Sequence, residues 1–179
     1  PWHLVQRMWI AKVATDEVYP LVETQRLLER VGHEFFTASG RVGAQYSYRY
    51  RPDMDFIQHA DIYVNPDGSD ERRYYYPYHR PAHIHAHPEE HMAVGDTAQI
   101  REEDEDYHKY IALIRYDDAR HRAVVGRLCR HDTSWRKSSH PHPVFTPDGQ
   151  HVIWGSDVGG NMNVYMARAD WDACLKSDR

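Results

Sequence analysis

Apolar and polar positions alternate along this chain over short runs, with little recurrence at three or four residues. "HLVQRMWIAKV", "AQYSYRYR", "DIYVNPDGSDERRYYY", "KYIALIRYDDARHRAVVG", "HVIWGSD" and "NVYMARAD" each read as a strand or a hairpin. "NPDG" and "TPDG" are strong turn signals, and "YDDARHR" is a weaker one. Helical spacing is confined to one stretch, roughly Glu23 to Arg30, with Leu27, Leu28 and Val31 as its apolar positions. That stretch reads equally as a strand followed by a turn. Short strands joined by hairpins predict an all-β sandwich, barrel or propeller.

Internal similarity separates these. "HEFFTASGRVGAQYS" from His33 aligns with "HPVFTPDGQHVIWGS" from His142, pairing Phe36 with Phe145, Thr37 with Thr146 and Gly40 with Gly149. "HIHAHPEEHMAVGD" from His83 fits more loosely, and the three starts fall 50 and 59 residues apart. A repeat of about 40–50 residues holding about four strands is a propeller blade. The acidic stretch "REEDEDYHK" accounts for the longer interval and reads as a solvated insertion. The expectation is therefore an all-β, partial β-propeller of about three to four blades, each a four-stranded antiparallel sheet. Residues 1–179 form a single partial domain on this reading, the β-sandwich being the alternative. Closed propellers have more blades, and the chain opens at Pro1 inside a patterned segment. A fragment of a longer propeller is therefore the expectation, with any targeting signal lying upstream.

The chain carries 14 histidines, so position has to separate them. In "SSHPHPVFTPDG" two imidazoles stand two apart, each followed by proline. The first strand of a blade lines the central channel and has one unpaired edge, where proline costs no ladder bond. Side chains at i and i+2 share a face, so His140 and His142 point the same way. His33, His83 and His142 occupy matching places on successive blades, and such places converge on the axis. Converging neutral imidazoles suit a divalent first-row ion. The competing reading makes these histidines hydrogen-bonding or surface residues. His85 shares the face of His83 and is the rival ligand, with His87 and His91 crowded nearby. His3, His59, His79, His108, His121 and His151 are assigned to the surface; His131 is left open, a structural role being preferred.

Hydrophobic residues at 41 % exclude wholesale disorder. A net charge of −5 without a basic tract argues against nucleic acid as a partner, yet leaves an anionic substrate open. No apolar run reaches membrane-spanning length and no signal peptide opens the sequence, so no membrane partner is expected. Cys129 and Cys174 fit neither a disulfide framework nor a zinc motif, and read as free thiols in a reducing compartment.

"PWHLVQRMW", "VGHEFF", "PAH" followed by "VGD", "LCRHDTSW" and "SHPHPVFTPDGQHVIWGSD" occur in that order, and together the chain resembles the C-terminal half of oligogalacturonate lyases. The resemblance implies a seven-bladed, cytoplasmic propeller that cleaves digalacturonate and short pectin fragments by β-elimination with a divalent metal, usually manganese. It implies that His83, His140 and His142 hold the metal, that His33 is the Brønsted base and that Arg7 is the catalytic arginine beside it. The partner is then an anionic oligosaccharide. One departure is Lys137, which stands where the family has a metal-binding glutamine. Protonated lysine has no lone pair to donate. A non-catalytic propeller module and a histidine-metal hydrolase are the alternatives. Tyr46, Tyr48 and Arg49 line the sugar site or pack between strands, the second being preferred; alternation turns Glu34 away from His33.

Overall fold

The computed structural model describes residues 8–22, 29–49, 57–136 and 139–177. They are all-β: fourteen strands, with a single 3-10 turn at Tyr107–Lys109 as the one helical element among them. The chain divides into two compact units, Pro1–Tyr75 and Tyr76–Arg179.

In the first unit β1 (Trp9–Lys12) and β2 (Glu17–Pro20) form an antiparallel hairpin. A four-strand meander follows, β3 (Glu29–Phe36), β4 (Val42–Arg49), β5 (Ile57–Val64) and β6 (Arg72–Tyr75), each antiparallel to the next. Glu29 and Arg30, expected to end a helix, open strand β3; residues 23–28 lie outside the described residues. The reason is alternation: Glu29 and Val31 are buried and Arg30 is exposed, a period of two. The Tyr46 hydroxyl donates to Glu29 Oε1 at 2.9 Å, which satisfies a buried carboxylate oxygen. Val31, Val42, Ala44, Tyr46, Ala60, Ile62 and Val64 form the core, with Tyr48 packed against it. The two tyrosines of "YSYR" therefore pack between strands.

The second unit repeats the meander in β7 (Ile84–Ala86), β8 (Ala93–Gly95), β9 (Tyr110–Asp117) and β10 (Arg122–Arg130). A three-stranded sheet follows, β11 (Val144–Phe145), β12 (His151–Ser156) and β13 (Asn163–Arg168). β14 (Leu175–Lys176) pairs with β10. Met92, Val94, Ile111, Leu113, Phe145, Val152 and Trp154 form this unit's core. Four-strand antiparallel meanders in sequence order are propeller blades. The two meanders and the shorter third sheet begin at β3, β7 and β11, where the repeat predicts a first strand.

The turn after each first strand shows the repeat most clearly. Thr37 N–H donates to Arg41 O and Gly40 N–H to Thr37 O, at 2.8 and 3.0 Å. Thr146 to His151 and Gly149 to Thr146 repeat this at 2.9 and 2.8 Å. His87 to Met92 and Glu90 to His87 repeat it again, at 2.9 and 2.8 Å. Gly40, Gly149 and Glu90 all have positive φ, at 86°, 69° and 58°. The loose third line is thus a true repeat in which His87 replaces threonine and Glu90 replaces glycine.

The acidic stretch at 101–109 is mostly exposed but pinned at one carboxylate. Asp104 Oδ2 accepts from the N–H groups of Ile100 and Arg101, both at 3.0 Å, and from Arg127 at 2.7 Å. Cys129 and Cys174 are free, and burial pushes both thiols up to about 11. Among the described residues no helix is long and apolar enough to cross a membrane. The surface assignment fails for His59, which is 8 % exposed within β5, its Nδ1 3.2 Å from Ser47 Oγ. Its strand lies between β4 and β6, with Ser47 of β4 paired directly opposite it. His79 and His121 are exposed, His108 and His151 half-buried, and His3 lies outside the described residues.

Candidate functional site

The two prolines of "HPHP" lie just before β11 and are buried, while His140 is half-buried and His142 exposed. Gly155 N–H donates to Pro141 O at 3.0 Å. Proline keeps its carbonyl as an acceptor, so the segment pairs through the one group that proline retains. His142 sits at φ 43°, in the left-handed region that β-sheet residues avoid. His83 lies immediately before β7.

These three histidines meet. One ring nitrogen from each of His83, His140 and His142 lies within 4.8 Å of the others. Ring centroids of His83 and His142 are 3.8 Å apart, and those of His140 stand 5.6 and 5.9 Å from them. Nitrogens bound to one first-row ion at about 2.0–2.1 Å are at most about 4.2 Å apart. Ring rotations of the order of an ångström close this cage, so the donor set fits a divalent cation. His85, the rival, is not in the group: its Nδ1 is buried without a hydrogen-bond partner, and burial lowers its pKa.

Asp96 stands behind His83. It is fully buried, its Oδ1 accepts the His83 backbone N–H at 2.8 Å, and its Oδ2 lies 2.5 Å from His83 Nδ1. A second layer comes from "LCRHDTSW". His131 Nε2–H donates to the Asp96 carbonyl at 3.2 Å, and its Nδ1 accepts from Thr133 N–H at 3.0 Å. Burial lowers the His131 pKa, consistent with this neutral, structural ring. Trp135 donates its indole N–H to His108 O at 2.8 Å and sets its ring 5.2 Å from that of His140.

His33 belongs to the first unit. The β3–β4 register shifts between Gly32 and Phe35, a bulge that holds His33 at φ 54°. His33 and Glu34 are both exposed, because the bulge interrupts the alternation that predicts opposite faces for them. Gln45, 3 % exposed, places Oε1 2.8 Å from His33 Nδ1. His33 and His142, aligned in the sequence, thus share a left-handed backbone. Arg7 and Lys137 lie outside the described residues.

A second donor group, His87, Glu89 and His91, opens onto a cavity of about 500 Å³. Its central imidazole is already engaged: His87 Nδ1 accepts from Glu89 N–H at 3.0 Å and Nε2 lies 3.2 Å from Gly149 O. That geometry belongs to the repeat's turn. Asp96, Gln45 and Trp135 are the site residues that sequence reading missed. The signal for Asp96 was its "VGD" segment, whose cross-strand register with "PAH" only pairing reveals.

The family model described as oligogalacturonate lyase matches residues 1–172. An oligogalacturonate lyase of Dickeya dadantii is 42 % identical over 48 residues, which is 24 % of this chain and 12 % of that protein. An oligogalacturonide lyase of Pectobacterium atrosepticum is 44 % identical over 48 residues, with the same shares, 24 % and 12 %. The crystal structure of oligogalacturonate lyase from Vibrio parahaemolyticus superposes with a TM-score of 0.74 at 23 % identity, over 96 % of this chain and 44 % of that one. TolB from Acinetobacter baumannii superposes at 0.57 and 13 % identity, over 94 % and 36 %. The chain thus spans less than half the length of the solved lyase, and at these identities the superpositions speak for the fold alone. The family follows from the match over nearly the whole chain: this protein belongs to the oligogalacturonate lyase family.

Proposed function

We propose that the chain carries residues of a cytoplasmic lyase site that cleaves oligogalacturonides, digalacturonate and short pectin fragments, by metal-dependent β-elimination. The observation that carries this reading is the meeting of His83, His140 and His142. Family membership supplies the substrate class. The reaction removes the proton on C5 of a uronate and expels the oxygen on C4. That proton is weakly acidic, because the charge left behind falls on a carboxylate already negative. His83, His140 and His142 would hold a divalent cation, manganese foremost, whose bound charge would supply a Lewis acid to that carboxylate.

His33 is the base on this reading. With its Nδ1 proton donated to Gln45 Oε1, its lone pair lies on Nε2 and accepts the C5 proton. The C–H electrons form the C4–C5 double bond as the C4–O bond breaks, and the departing oxygen takes up a proton. Arg7 would grip a substrate carboxylate through its planar fork, a role assigned from the family resemblance. Lys137 donates no lone pair, so the protein's donors in this chain are imidazoles.

The test is the purified chain with digalacturonate and Mn²⁺, following ultraviolet absorbance of the unsaturated product. Activity should vanish with a chelator, and His33→Ala should lower it about 10²- to 10⁴-fold. A near-wild-type rate for His33→Ala removes the base, and saturated products alone replace elimination with hydrolysis. A chain that binds no Mn²⁺ and turns over nothing removes the reading.

A further inference from the structure

We propose that in two of the blades a group on the second strand, or at its end, sets the tautomer of the blade's leading histidine: Asp96, just after β8, for His83 and Gln45, in β4, for His33. Both are positioning residues, and the inference rests on His83 as a metal ligand and His33 as the base. The register puts them there. Ile84 pairs with Gly95, so the residues flanking that pair, His83 and Asp96, stand opposite each other. Gly32 pairs with Gln45, which brings Gln45 against the bulged His33.

The chemistry follows from what each group can do. An ionised carboxylate only accepts hydrogen bonds. Asp96 accepts from His83 twice, at the backbone N–H and at Nδ1, so the ring proton resides on Nδ1 and the lone pair on Nε2. Gln45 Oε1 does the same for His33 with a neutral carbonyl. The two acceptors differ in charge, and the difference matches the two roles. A buried anion behind a ligand imidazole strengthens its donation to a cation. An amide orients a base without setting an anion beside it. Asp96 is itself locked from behind by His131 at its carbonyl, which joins the "LCRHDTSW" segment to the ligand set.

The experiment uses the full chain with ¹⁵N-labelled histidine, metal-free and above neutral pH. Long-range ¹H–¹⁵N spectra report which ring nitrogen carries the proton, and His83→Ala and His33→Ala assign the signals. Wild type should show both rings protonated on Nδ1. In Asp96→Asn, the amide oxygen keeps the backbone bond and turns its NH₂ toward Nδ1, so His83 should shift to the Nε2–H form. Calorimetry should then show Mn²⁺ affinity about 10- to 100-fold weaker. Gln45→Leu should release the His33 tautomer and leave Mn²⁺ affinity within about two-fold of wild type. A wild-type His83 protonated on Nε2 overturns the proposal, as does Asp96→Asn with unchanged tautomer and affinity. If Asp96→Asn does not fold, the wild-type spectrum decides. A wild type that binds no Mn²⁺ ends the metal reading, while the spectra still decide the tautomers.

Discussion

His131 is 3 % exposed, and its burial opposes the charged form more than the facing Asp96 and Asp132 favour it. The folded pKa lies below 6.5, so on acidification the unfolded chain takes up a proton that the folded chain resists. The stability this ring contributes is full above about pH 6.5 and is lost as pH falls toward the folded value. Melting temperature should therefore drop between pH 7.5 and 5, and His131→Gln should be less stable at the upper end with a shallower slope. Parallel wild-type and variant curves would remove His131 as the cause. Individual residues were legible where chemistry was repeated: three matching histidines announced themselves. Asp96 and Gln45 did not, because each acts on a residue a dozen positions away through a strand register that the sequence does not print.

At the scale of elements, the repeated turn offers an internal control. Gly40 and Gly149 hold the same turn position at positive φ, yet an added Cβ meets nothing at Gly40 and meets His87 Nε2 at 2.1 Å at Gly149. Gly40→Ala should cost about 1 kcal/mol from the left-handed backbone, and Gly149→Ala about 1–3 kcal/mol more from the clash, read by denaturant unfolding. Strand β13 raises a different expectation. Among the described residues it pairs with β12 alone, and Val164 and Met166 are 77 % and 62 % exposed on one face. Such a strand offers a template on which another copy is expected to pair. Sedimentation velocity should show concentration-dependent association that Val164→Lys with Met166→Lys suppresses; an unchanged profile locates the association elsewhere. Elements were read well wherever alternation was strict. At its described end the stretch read as helical or as strand and turn is a strand, burial of Glu29 and Val31 around exposed Arg30 following a period of two.

For the whole molecule, a cation that binds only the folded chain adds to its stability. At 100 times its Kd, Mn²⁺ should raise the unfolding free energy by about 2.7 kcal/mol. Calorimetric or thermal-shift titration checks this, and His142→Ala should lose most of the effect while keeping its metal-free melting temperature near wild type. A net charge of −5 also sets the terms for a polyanionic sugar. On the proposed function its affinity would come from groups at the site rather than from net charge, so chelation should weaken digalacturonate binding as well as turnover.

The sequence alone determined the strand class and the blade repeat, and marked the histidines at matching places in it, because period-two alternation and turn chemistry are local and recur with the repeat. Only the tertiary structure decided that His83, His140 and His142 share a space, that His59 is covered by its neighbours, and that a carboxylate and an amide stand behind the leading histidines. Those facts depend on which strand lies beside which and in what register, and packing sets that over distances no local pattern spans.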